Sequence, residues 1–233
     1  MGLFNSSPKA APRTLRVLAR LLGYPDAELR AHLPLLRATL HAENALSAAR
    51  LAELDALLAH LARQDALDAE GEYVHLFDSG RRTSLHLFEH VHGDSRERGP
   101  AMIDLAQTYE KAGLYLAAGE MPDYLPVVLE FASTQPAREA AGFLSEIAQL
   151  VNALFNALEQ RGSHYASVMG ALLDLAGERA RAVQLAAETP LDESWSEPAA
   201  FEGCSTAGQR RPGGEEPVRI VRPGASSHLG AHA

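Results

Sequence analysis

Cysteine is almost absent from this chain: Cys204 is the only one among 233 residues. A single thiol excludes an internal disulfide and any cysteine-based zinc or iron–sulfur site within one chain, and it suits a reducing compartment. Aromatic residues are scarce at 6%, and lysine occurs only at Lys9 and Lys111, so arginine carries nearly all the positive charge. No apolar run is long enough to span a bilayer, and the N-terminus lacks a long apolar core ending at a small-residue cleavage site. These absences predict a cytoplasmic protein. The formal net charge of −9 would repel a phosphate backbone, and no basic stripe with interleaved aromatics offsets it, which argues against nucleic acid as a partner.

What is abundant is Ala and Leu, within an apolar fraction of 46%. With few β-branched residues, that composition favours helix. The fold predicted is all-α, a single compact domain of about eight helices over residues 14–187, between a flexible N-terminus (1–13) and a disordered tail (188–233). Thr14 is placed as the cap of the first helix, which Gly23-Tyr24-Pro25 stops. Asp26 caps a second, broken or kinked at Pro34, and Ser47 a third, in which Leu51, Leu54, Leu57, Leu58 and Leu61 recur at helical spacing. Further helices are expected over 67–77, 100–112 and 127–133. The longest begins at Pro136, and a last one is capped by Ser163 and ends near Gly177. Past Glu188, Pro, Gly, Ser, Glu and Arg dominate; Trp195 and Phe201 stand out there as a docking segment or as chance aromatics in a linker. The apolar stripes can close within one chain or across two, so the expected state is a monomer or weak homodimer.

The stretch HLFEH, His86–His90, has the H-x-x-E-H spacing of inverted zinc proteases. On a helix, His86 and His90 would share a face, with Glu89 as the base and a distal carboxylate such as Glu159 as third ligand. A zinc-dependent hydrolase is therefore one reading, although the pattern is short and nothing near Glu159 supports a metal site. The stretch GDSRERG lacks the phosphate-loop spacing and follows no predicted strand. The density of charged and aromatic residues against helix breakers between Tyr73 and Pro126 is more unusual, and it marks a binding surface on a helical scaffold. Its bland counterpart is an ion-pair and capping network of Asp78, Arg81, Glu89, Asp94, Arg96 and Arg98 that ties helices together. A helical adaptor for some other partner is the remaining reading of the residues alone.

The run EYVHLFDSGRRTSLHLFEHVHGDSRERGPAMIDL, followed by EMPDYLP, resembles the NarJ-type nitrate reductase assembly chaperones, or delta subunits, within the wider family that includes TorD and DmsD. The likeness runs from LLGYPD (Leu21–Asp26) to DESW and CSTAGQRR in the tail. It implies an all-helical cytoplasmic chaperone without catalytic activity or cofactor of its own. Such a protein binds the N-terminal peptide of the apo catalytic (alpha) subunit of nitrate reductase and promotes molybdenum cofactor insertion before membrane docking. The family's pattern falls on Leu76–Arg81, Phe88–Arg96, Arg98–Met102 and Glu120–Leu125, with Tyr124 where a histidine is frequent. The candidate partner-binding set comprises acidic Asp78, Glu89, Asp94, Asp104 and Asp123, facing a basic peptide, and Leu85, Phe88, Met102 and Leu125, which read either as an apolar floor or as ordinary core. Arg81, Ser84, His90, His92, Arg96, Arg98 and Pro122 complete it. The pattern does not require His86, so His86→Leu is expected to be tolerated.

Overall fold

The leucine stripes fold as helices, capped by local side chains in some places and by distant ones in others. The computed structural model describes residues 10–93 and 95–182, and among these there are nine α-helices, one 3₁₀ turn and no β-strand. In chain order the helices are α1 (Pro12–Leu21), α2 (Ala27–Glu43), α3 (Ala48–Arg63), α4 (Ala66–Phe77), α5 (Leu87–Val91), α6 (Arg98–Lys111), α7 (Leu125–Thr134), α8 (Ala137–Gln160) and α9 (Ala166–Ala176). The 3₁₀ turn, Arg81–Thr83, lies between α4 and α5. The architecture is all-α, as the composition implies, and all the described residues lie within one unit spanning 1–188. The tail, with Trp195, Phe201 and Cys204, lies outside the described residues.

Two of the predicted caps stand as read. The Asp26 carboxylate accepts from Leu29 N–H at 2.7 Å, a bond that holds its own pKa below the usual carboxylate value, and Ser47 Oγ accepts from Arg50 N–H. The third does not. Helix α1 starts at Pro12, and Thr14 sits fully buried inside it. A proline in the first turn gives up no hydrogen bond. The cap comes instead from Glu43 at the far end of α2, whose carboxylate accepts from the backbone N–H groups of Arg13 and Thr14. Glu43→Ala is therefore expected to cost about 1 kcal/mol in urea denaturation. Thr14→Ala, which removes a buried hydroxyl without a partner, is expected to be neutral or stabilising in the same measurement.

Pro34 does not break α2, which continues through it to Asn44 in the left-handed conformation. Ser163 is likewise not the cap of α9: a turn intervenes, and Tyr165 immediately precedes the helix. The core forms where α1 packs on α7, α2 on α3, and α9 on α8 and α3. Leu18, Leu54, Leu129 and Leu154 are fully buried in it. A ring cluster of Tyr73, Phe77 and Tyr165 packs nearby, with centroids 4.9 and 5.1 Å from Phe77.

Candidate functional site

The segment 84–93 leaves the 3₁₀ turn extended and then makes only the five-residue helix α5. So short a helix cannot stabilise itself and needs partners from elsewhere in the chain. They come from residues 122–125, just before α7. Leu87 N–H donates to the Asp123 carbonyl at 3.0 Å, and Leu125 N–H to the Leu85 carbonyl at 2.9 Å, an antiparallel bridge centred on His86 and Tyr124. Asp123, with no exposed surface, accepts from Phe88 N–H through Oδ2 at 3.0 Å and lies 3.4 Å from His86 Nδ1 through Oδ1. One buried carboxylate thus holds the first turn of α5 and the imidazole that precedes it. The hydrogen bond to Asp123 raises the His86 pKa above the ordinary histidine value, against the opposing effect of burial.

Neighbouring groups brace this clasp. His90 Nε2 is 2.8 Å from the Ser84 carbonyl, and Ser84 Oγ accepts from His86 N–H. The Tyr124 ring lies 5.2 Å from His86, and its hydroxyl meets that of Tyr73 at 3.2 Å, beside the Leu22 carbonyl to which Tyr73 donates at 2.7 Å. Tyr109 OH donates to the Pro122 carbonyl at 2.8 Å. Burial raises the pKa of all three phenols, which keeps them neutral donors. Arg161, from the end of α8, reaches the Leu76 carbonyl and Thr83 Oγ1 and so ties α4 to the 3₁₀ turn.

The predicted residues divide by burial. Ser84, Leu85, Pro122, Asp123 and Leu125 are buried. Leu85 and Leu125 belong to the core rather than to an open floor, and Asp123 faces inward rather than towards a partner. Phe88, Glu89, His90, His92, Arg98 and Met102 are half-buried, and Asp78, Arg81, Arg96 and Asp104 are exposed. Asp94 lies outside the described residues. Of the suggested ion-pair network, Glu89 and Arg98 meet at 3.6 Å. Phe88 packs edge-on to His92 at 5.3 Å. Two depressions, of about 730 Å³ between α2 and α3 and about 200 Å³ where α1, α7 and α8 meet, are lined by no residue of 78–125. Tyr109 and the Glu43 cap escaped the sequence reading, although Tyr109 stands four residues after Leu105 and seven after Met102, a helical spacing that carries the signal.

The zinc reading fails on geometry. His86 lies before α5 with extended backbone, so His86 and His90 do not stand one turn apart on a helix. His86 and His90 have the partners already given, and Glu89 pairs with Arg98. Among the described residues no group of three or more His, Cys, Asp or Glu could hold a metal ion.

The all-helical scaffold thus clasps segments 84–88 and 122–125 together through paired backbone bonds and one buried carboxylate. The chain belongs to the nitrate reductase delta subunit family, whose profile matches residues 26–169. It is 40% identical over 215 residues to the nitrate reductase molybdenum cofactor assembly chaperone NarJ of Escherichia coli strain K12, covering 84% of this chain and 91% of that protein. It is 39% identical over 124 residues to the nitrate reductase-like protein NarX of Mycobacterium tuberculosis, covering 52% of this chain and 19% of that longer protein. The fold is shared with a crystal structure from Archaeoglobus fulgidus of a protein assigned to redox enzyme maturation. The TM-score is 0.54 at 21% identity, over 76% of this chain and 99% of that one.

Proposed function

We propose that this chain is a maturation chaperone for respiratory nitrate reductase. It binds the N-terminal region of the apo catalytic subunit in the cytoplasm and promotes molybdenum cofactor insertion before the enzyme docks at the membrane. The observation that carries the reading is the clasp. It joins two of the four segments on which the family's pattern falls, Phe88–Arg96 and Glu120–Leu125, through the bond from Phe88 N–H to Asp123. An amphipathic client helix would set its apolar side chains against half-buried Phe88 and Met102 and meet the surrounding carboxylates with its basic residues. Buried Ser84, Leu85, Pro122, Asp123 and Leu125 position that surface; Asp78, Arg81, His92, Arg96 and Asp104 border it. Family membership and the likeness to NarJ along most of both chains support the same reading. No helix among the described residues is long and apolar enough to cross a membrane, which is compatible with a chaperone that acts before docking.

Calorimetric titration of the chelator-treated protein with a synthetic N-terminal peptide of the apo catalytic subunit tests this. Saturable, metal-independent binding is expected, weakening with added salt because part of the attraction is charge on charge. Absence of binding, together with unchanged cofactor content of nitrate reductase in cells lacking the chaperone, would overturn the assignment.

A further inference from the structure

Helix α6 is held unlike its neighbours. Of its 14 residues only Tyr109 is buried, whereas α7, with 10, buries Leu125, Val128, Leu129, Phe131 and others. Arg98, Met102, Leu105 and Tyr109 recur at four- and three-residue steps and so share one face. On that face Met102 and Leu105 are only half-covered. The two ends are fastened unequally. Near the C-terminal end, Tyr109 donates a buried 2.8 Å hydrogen bond to Pro122 and packs 4.8 Å from the Phe131 ring. Near the N-terminal end, the fastening is the Glu89–Arg98 pair, 3.6 Å apart, with side chains 27% and 30% exposed. Partly exposed ion pairs contribute little, about 0.2–1 kcal/mol. Helix α6 is thus anchored at one end and weakly latched at the other.

Charge on α6 points to the kind of partner. Glu97 and Asp104 stand two turns apart on one side of α6, both exposed and without an ion-pair partner among the described residues. Arg98 is already neutralised by Glu89. Over the first two turns the exposed edge beside the half-covered stripe is therefore acidic, with Lys111 on the same side only at the far end, and this acidic part suits a basic amphipathic segment.

Resting on the proposed function, the geometry points to α6 as the movable wall of the client site. It turns about Tyr109, opens its half-covered Met102–Leu105 stripe to the client's apolar side chains, and meets the client's cations with Glu97 and Asp104. Opening breaks the Glu89–Arg98 latch. The closed form lowers the apparent affinity by the fraction of molecules it holds shut.

Hydrogen exchange on the full chain, with and without the synthetic client peptide, tests the inference together with the affinity of Glu89→Gln. In the free protein the amides of 98–108 are expected to exchange faster than those of α7 and α9, and the peptide is expected to slow them. Glu89→Gln, which loosens the latch, is expected to bind up to about 5-fold more tightly. If Glu89 instead met the basic client directly, the same substitution would weaken binding. Weaker or unchanged binding, or α6 exchange that does not respond to bound peptide, overturns the movable wall and leaves the chaperone assignment standing. No binding by either protein removes both.

Discussion

Asp123→Ala is expected to lower the unfolding free energy by about 2–3 kcal/mol, the range for a buried hydrogen bond to a charged acceptor whose donor is then left unpaired. The substitution orphans Phe88 N–H at the start of α5 and removes the partner of His86 Nδ1. Since α5 is only five residues long, it has no internal means of keeping its first turn once that acceptor is gone. Phe88 then loses its fixed place, and on the proposed function client affinity falls about tenfold or more, the scale of one displaced anchor residue. Urea denaturation and calorimetric titration at a temperature where the variant stays folded separate the two effects.

The same pair carries a pH signature. His86 has a folded-state pKa raised by its bond to Asp123. A group of that kind contributes stability that is fully present below the unfolded value of about 6.5 and is lost as pH rises through the folded value. Both Asp123→Ala and His86→Leu are therefore expected to cost more stability near about pH 5.5 than near about pH 8.5. Equal cost at both would show that the imidazole and carboxylate do not form an ion pair. His86→Leu remains compatible with chaperone function, because the backbone bonds of Leu87 and Leu125 do not depend on the imidazole.

Leu18→Ala should be as damaging to stability and yet spare recognition. Leu18 is fully buried in the core, on a helix packed against α7 more than a hundred residues away in sequence. Truncation forfeits the transfer free energy of the lost carbons and leaves a cavity that a dense helical core closes only in part, together about 2–5 kcal/mol. The urea midpoint should fall sharply. Peptide affinity, measured well below the unfolding transition, should stay within about twofold of the unaltered chain, since no group of the 84–93 or 122–125 segments has been removed. A parallel loss of affinity would mean that the clasp and the α1–α7 core open as one unit.

Much of the scaffold was legible because helices are local objects. The stripe Leu51, Leu54, Leu57, Leu58 and Leu61 announced both α3 and its buried face, and all five are buried. Asp26 and Ser47 were readable as caps because each bonds an amide three residues on. Thr14 misled because a short polar side chain before an apolar stripe looks like a cap, while the group that caps α1 is Glu43, about thirty residues away. The site was legible as a stretch of chain but not as an arrangement. The motif residues were picked out, yet spacing left Leu85 and Leu125 open between floor and core, where they prove to be core, and the expected surface acid Asp123 is wholly buried.

The sequence by itself determined that this chain is helical, roughly where its helices run, which faces they bury, and which family it resembles. All of these depend on residue type and on spacing within a few turns. Only the tertiary structure decided that His86 stands outside α5, that Asp123 points inward to hold Phe88 and His86, and that α6 is anchored by Tyr109 while its apolar stripe stays half-covered. The reason is physical: hydrogen bonds between residues i and i+4 shape each helix without reference to the others. Whether a carboxylate is solvated or buried depends on which distant backbone amides the packed helices bring within reach of it.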